Sequence, residues 1–141
     1  MITRKDYNVI VKAFKKSPVG LVKKMINKKY TFTILIHILL LKQNKFGELN
    51  TIKTMNSKTL TFTLRDMVKN ELIRKKVYQK SPRVTKYFIT KKGKALVRVY
   101  LHMINFAMEH YSKEVLVDEK PKKIEDLLSK KILKLIQKEA G

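Results

Sequence analysis

Lys58, Thr61, Phe62 and Arg65 fall within the stretch MNSKTLTFTLRDM at 55–67, and Leu60, Leu64 and Met67 alternate with them. The three apolar residues recur at spacings of four and three, the buried stripe of a short helix. The opposite side then presents two cations, threonine and phenylalanine together. This chemistry suits the grooves of a duplex: Lys58 and Arg65 for guanine edges or phosphates, Ser57, Thr59 and Thr61 as short donors and acceptors, and Phe62 against a thymine methyl. The bland alternative is a solvated helix whose Phe62 packs under the segment that follows.

A second set of cations lies downstream. LIRKKVY (72–78) and RVTKYFIT (83–90) are rich in β-branched and aromatic residues, and QKSP between them has turn chemistry, which predicts a β-hairpin. Its tip and arms hold Lys75, Lys76, Lys80, Arg83 and Lys86. Of these, Lys76, Lys80, Arg83 and Lys86 are the expected contacts to phosphates or a minor groove, where they add affinity without reading sequence.

Chemistry of other kinds is thinly represented. His37 lies in an apolar run, and His102, Glu109 and His110 have offsets that do not gather them on one helical turn. There is no glycine-rich phosphate loop or paired-carboxylate signature, and no cysteine. The sequence therefore predicts no catalytic residue, no metal site and no cofactor, and it names no small-molecule effector. Absence of cysteine, with no recognisable signal peptide in MITRKDYNVIVKAFKK, points to a cytoplasmic, nucleoid-associated setting. The run FTILIHILLL at 32–41 is about half the ~20 residues of a membrane crossing and reads as a buried helix.

Charge bounds the partner. The 141 residues carry 33 Lys and Arg against 11 Asp and Glu, a net +22. Residues 1–100 hold 25 basic and 4 acidic side chains, net +21, whereas 101–141 hold 8 and 7, net +1. The first hundred residues thus call for a polyanion, with nucleic acid first among the candidates. The nearly neutral remainder serves another purpose.

The elements that must position these residues follow from pattern. Residues 1–16 form a basic arm or short helix. Ser17 and Pro18 start a helix, as N-cap and first-turn proline. Thr31 is expected to cap a core helix reaching about Lys42, and Phe46, Leu49 and Ile52 mark a short third one. Asn56 or Ser57 opens the helix that carries Arg65. Two helices joined by a turn and followed by a basic hairpin make a winged helix-turn-helix. Thr90 caps a long helix, roughly 91–116, with two apolar stripes. One stripe can serve its own domain, so the second implies a partner surface. Tyr100, Met103, Ile104, Ala107, Met108 and Tyr111 are the expected dimer contacts. Pro121 opens a last helix with Ile124, Leu127, Leu128, Ile132, Leu135 and Ile136.

The sequence resembles the HxlR-type transcription regulators. The blocks that carry the likeness are SPV at 17–19, KYTFTILIHILL at 29–40, KFGEL at 45–49, KTLTFTLRDM at 58–67, ELIRKKVY at 71–78 and KYFITKKGKAL at 86–96. The resemblance implies that the segment matching Lys58–Met67 is the recognition helix, that 72–90 is the wing, and that terminal helices form a homodimer. Three features depart from the family pattern. Ser17 stands where members often have cysteine, Glu71 where glycine usually ends the recognition helix, and the helix after Pro121 exceeds the usual length. With Glu71 there, Asn70 is expected to supply the left-handed turn.

The expected fold is therefore α+β and mainly helical: a winged helix-turn-helix with a two-stranded wing and added terminal helices for dimerisation. Its expected parts are an N-terminal arm (1–16), a DNA-binding domain (17–96) and a dimerisation region (97–141). The expected function is sequence-specific transcription regulation on double-stranded DNA. The alternative is an architectural, chromatin-type protein with little sequence choice, because the recognition face holds one Arg and no Asn or Gln. An RNA-binding winged helix stands behind both, and membrane binding is weaker still.

Overall fold

The structure is a computed structural model that describes residues 1–128, 130, 132–134 and 138; the side chain of Lys80 lies outside that description. Helix α1 (Arg4–Lys12) starts at Thr3, whose hydroxyl accepts the Asp6 N–H while the Asp6 carboxylate accepts the Thr3 N–H. This capping box satisfies two otherwise free donors. The Thr3 side chain and backbone also hold the Asp6 carboxyl below its ordinary range. No residue of α1 is buried. Helix α2 (Pro18–Ile26) begins with Ser17 accepting the Gly20 N–H at 3.1 Å and with proline at its first position.

The core is built on α3 (Thr31–Leu39), where Ile34, Leu35, Ile38 and Leu39 are buried. The expectation that Thr31 caps this helix is corrected. Tyr30 is the cap and makes no side-chain bond, whereas Thr31 is fully buried with its Oγ1 unpartnered. A hydroxyl drawn into the core is not placed to accept from a helix start. The helix also ends at Leu39, short of Lys42, whose backbone turns left-handed at φ 56°.

Helix α4 (Phe46–Leu49) is a single turn, and Ile52 belongs to the segment that follows it rather than to the helix. That segment still packs, since Ile52 and Met55 are buried in it. Helix α5 (Ser57–Lys69) follows, then strands β1 (Ile73–Lys80) and β2 (Arg83–Ile89) in an antiparallel pair. Lys80 pairs with Arg83 across the turn, and the register shifts between Val77 and Gln79. Residue 45 adds an isolated bridge to Lys86, with the Tyr87 N–H donating to the Asn44 carbonyl at 2.8 Å.

Helix α6 (Lys91–His110) is capped by Thr90, which accepts the Gly93 N–H at 3.0 Å. It packs Leu96, Val97 and Tyr100 into the core, with the Tyr100 ring 4.7 Å from that of Phe32. It does not run to 116. The backbone leaves the helix at Tyr111 and makes a separate turn, α7 (Ser112–Val115). The chain then folds back on α6: the Ile124 N–H donates to Asn105 Oδ1 at 2.7 Å, beside α8 (Ile124–Leu127). The expected last helix therefore starts three residues after Pro121 and is interrupted at Leu128, whose backbone is extended; residues 130, 132–134 and 138, Ile132 among them, are again helical. Leu135 and Ile136 lie outside the described residues.

The result is mainly helical, with one two-stranded antiparallel hairpin, as a winged helix-turn-helix requires. Among the described residues, no helix is long and apolar enough to cross a membrane.

Candidate nucleic-acid interface

Helix α5 is fixed from below by Leu60, Leu64 and Met67, each at most 1% exposed. Burial on this scale stabilises by about 1.5–3 kcal/mol per side chain before entropy is charged against it. Polar contacts then hold the two ends. Asn56 Oδ1 accepts the Thr59 N–H at 2.8 Å, and the Ser57 hydroxyl donates to Asn50 Oδ1 at 2.8 Å, tying the helix start to the turn after α4. Near its end, Lys28 Nζ lies 2.7 Å from Asp66 Oδ2, joining α5 to the loop before α3.

The exit from α5 corrects the sequence expectation. Asn70 keeps φ −85° and donates from its amide to the Asp66 carbonyl at 2.9 Å. Glu71 takes the left-handed conformation at φ 60°. The Leu72 N–H then bonds the Met67 carbonyl, and the Glu71 N–H bonds that of Val68, both at 3.0 Å. This is a Schellman turn without its customary glycine. The turn is clamped from the far side. The Thr90 hydroxyl lies 2.6 Å from the Glu71 carbonyl and 3.0 Å from that of Leu72, and Lys92 Nζ donates to the Asn70 carbonyl at 2.8 Å. The end of α5, the base of the hairpin and the start of α6 therefore meet at one junction.

On the outer side of α5, Ser57, Lys58, Thr61, Phe62 and Arg65 are exposed and Thr59 is half-buried. Phe62 is 71% exposed, so it does not pack under the hairpin. The hydroxyls are less free than their types suggest. That of Thr61 donates to the Ser57 carbonyl at 2.8 Å, which leaves its oxygen as an acceptor only. Ser57 is committed to Asn50 in the same way.

A groove separates this helix from the wing. Lys45, Glu48, Thr61, Lys75, Arg83 and Tyr87 are among the residues that line it, and Arg65 joins Thr61 and Lys75 in its continuation along α5. Burial pushes the Tyr87 hydroxyl above its ordinary range, and nearby Arg83 partly opposes the rise. The expected wing residues do not form one group. Arg83 lines the groove, whereas Lys76 and Lys86 pair across the strands on the other face, each about 5 Å from the Tyr78 ring (4.9 and 4.8 Å). Lys75 and Lys45 are the cations that the sequence selection passed over. Strand alternation from buried Ile73 would have placed Lys75 on the groove side. Nothing in the sequence signals the bridge that brings Lys45 to Lys86.

The expected dimer residues are also divided. Tyr100 and Met108 are buried inside their own chain, the first against Phe32 and the second where the chain folds back over α6, and so are corrected as interface contacts. Met103 and Tyr111 are 47% and 52% exposed, with Phe106 between them at 58%, while Ile104 and Ala107 are half-buried.

A model of the HxlR-like helix-turn-helix family matches residues 25–115. Among solved structures, the chain is similar to the reduced form of the transcriptional regulator YodB from B. subtilis. The identity there is 23%, over 78% of this chain and 95% of that one, with a TM-score of 0.53. It is also similar to PA1374 from Pseudomonas aeruginosa at 20% identity, over 67% of this chain and 64% of that one, with a TM-score of 0.52. These two likenesses establish the fold. No curated protein matches.

Proposed function

Because this chain belongs to the HxlR-like helix-turn-helix family, whose members are DNA-binding transcription regulators and not enzymes, we propose that it reads duplex DNA by sequence through α5. One observation carries the proposal: the exposed row of Lys58, Thr61, Phe62 and Arg65 on a helix whose other side is sealed into the core. The start of α5 enters a major groove. Arg65 and Lys58 donate to base edges or phosphates, the Thr61 oxygen accepts from a base amino group, and Phe62 lies on a thymine methyl. The backbone beside that groove runs between α5 and the wing, past Lys75 and Arg83. Of the expected wing set, Arg83 binds phosphates of that backbone without reading bases, whereas Lys76 and Lys86 face away from it.

Two protomers act together. Residues 97–141 form the dimerisation region, centred on the exposed stripe of Met103, Phe106 and Tyr111 with Ile104 and Ala107 beside it. The domain of 17–96 is then presented twice, to half-sites about one helical turn apart. Selection of bound duplexes from a random pool at two salt concentrations tests the proposal. A recurrent two-fold-related sequence is the expected result, and a pool that stays random after selection overturns it.

A further inference from the structure

The hairpin has two faces, and its cations are divided between them. Residues paired across antiparallel strands point to the same face. Lys75 pairs with buried Tyr87 on the side of the α5 groove. Lys76 pairs with Lys86, and Lys86 pairs in turn with Lys45. Lys76 and Lys86 therefore stand side by side on the opposite face, at the strand spacing of about 4.8 Å, while Lys45 lies at the edge where that face meets the α5 groove. Like charges directly opposite one another destabilise a sheet, and residues 72–90 contain no Asp or Glu. The Tyr78 ring sits within 5 Å of both the Lys76 and Lys86 ammonium groups, at 4.9 and 4.8 Å, and draws them together. Arg74 and Phe88, another direct pair, extend the face toward the hairpin base.

Paired ammonium groups on a hairpin that carries no carboxylate match a ligand with closely repeated negative charge. We propose that this outer face binds a phosphodiester backbone other than the one beside α5, so that a single protomer holds two DNA segments at once. The proposal rests on the reading of α5 as the site of the first segment. Two features favour a second segment over the first duplex wrapping around the wing. Lys75 and Lys76 are successive strand residues and point to opposite faces, so a duplex seated against α5 meets the first and not the second. Tyr78 is engaged by two ammonium groups, so it serves as a post for them rather than as an open platform for stacking bases. The contact is with backbone, as in a duplex.

The test uses the full chain and two duplexes. A short duplex bearing the selected sequence is immobilised and saturated with protein, and a labelled duplex of unrelated sequence is then offered. Wild-type protein captures the second duplex. The double variant Lys76→Gln, Lys86→Gln binds the immobilised duplex like wild type, which shows that it is folded, and loses capture of the second. Capture that persists at low salt has a salt slope smaller by about 1.8, for two lost phosphate contacts. Lys75→Gln does the reverse, weakening the first step. Equal loss of the first step in both variants overturns the proposal, because both faces then touch one duplex. Undiminished capture by the double variant also overturns it, because α5 of another protomer then makes the bridge. Failure of the reading of α5 shows up separately, as equal affinity of the first step for a scrambled duplex.

Discussion

Glu71 provides a quantitative check on how α5 is joined to the wing. Its φ of 60° is a conformation that costs an ordinary L-residue roughly 1–2 kcal/mol, and glycine essentially nothing. Replacing Glu71 by glycine recovers that cost but also loosens the unfolded chain, which returns about 0.4–1 kcal/mol. The backbone bonds of the turn use the N–H and carbonyl of residue 71 and survive the change. Removing a carboxylate from a helix C-terminus adds a few tenths of a kcal/mol in the same direction. Glu71→Gly should therefore stabilise by about 0.5–1 kcal/mol. For a chain of this size that raises Tm by about 2–4 °C. Asn70→Gly should do the opposite, because Asn70 caps α5 at a negative φ that needs no glycine and its amide donates to the Asp66 carbonyl; a loss of about 1 kcal/mol is expected. Thermal and urea unfolding followed by circular dichroism measure both, with an unchanged urea m-value confirming the same unfolding reaction. If Asn70→Gly stabilises and Glu71→Gly destabilises, the turn is not built as described.

Other changes probe the remaining joints. A Cβ on Gly93 would lie 2.3 Å from the Leu72 carbonyl oxygen and 2.8 Å from Ile89, so Gly93→Ala should destabilise by about 3 kcal/mol, read as a shifted urea midpoint. The Tyr100 hydroxyl is buried without a partner, and Tyr100→Phe should be neutral or stabilise by up to about 1 kcal/mol in the same assay. Burial raises the Tyr87 and Tyr100 hydroxyls above the ordinary 10.0, so the folded state holds their protons longer than the unfolded chain does. That stability is intact below pH 10 and is lost as pH rises through the raised values, and a Tyr87→Phe, Tyr100→Phe variant should lose less between pH 9 and 11. Met103→Glu places a charge in the exposed α6 stripe and should shift sedimentation from dimer to monomer; an unchanged dimer would move the interface elsewhere.

The parts of the fold legible in the sequence are those set by local pattern. Leu60, Leu64 and Met67 mark the buried side of α5 by spacing alone, and Ser17, Asn56 and Thr90 mark helix starts by their chemistry. The errors share a different origin. Thr31 has the composition of a cap, but tertiary packing draws it into the core. Glu71 holds a left-handed turn that local preference assigns to Asn70, because Thr90 and Lys92, some twenty residues away, clamp the carbonyls around it. Tyr100 and Met108 belong to the apolar pattern of α6, yet the pattern does not say which stripe faces the chain itself. The candidate binding face is a set of residue types that the sequence displays. Its division into a groove containing Lys75 and Arg83 and an outer pair of Lys76 and Lys86, with Lys45 at the edge between them, depends on strand register and on a bridge between distant residues.

The central claim is that α5 reads bases rather than merely attracting phosphates. It is tested most directly by the ratio of affinities for the selected duplex and for random duplex at physiological salt, measured for wild type and for Arg65→Ala. The account predicts a wild-type ratio above roughly 10³ and a loss of about 1–3 kcal/mol on the selected duplex alone in the variant. A ratio near one, or an equal loss on both duplexes, would contradict it.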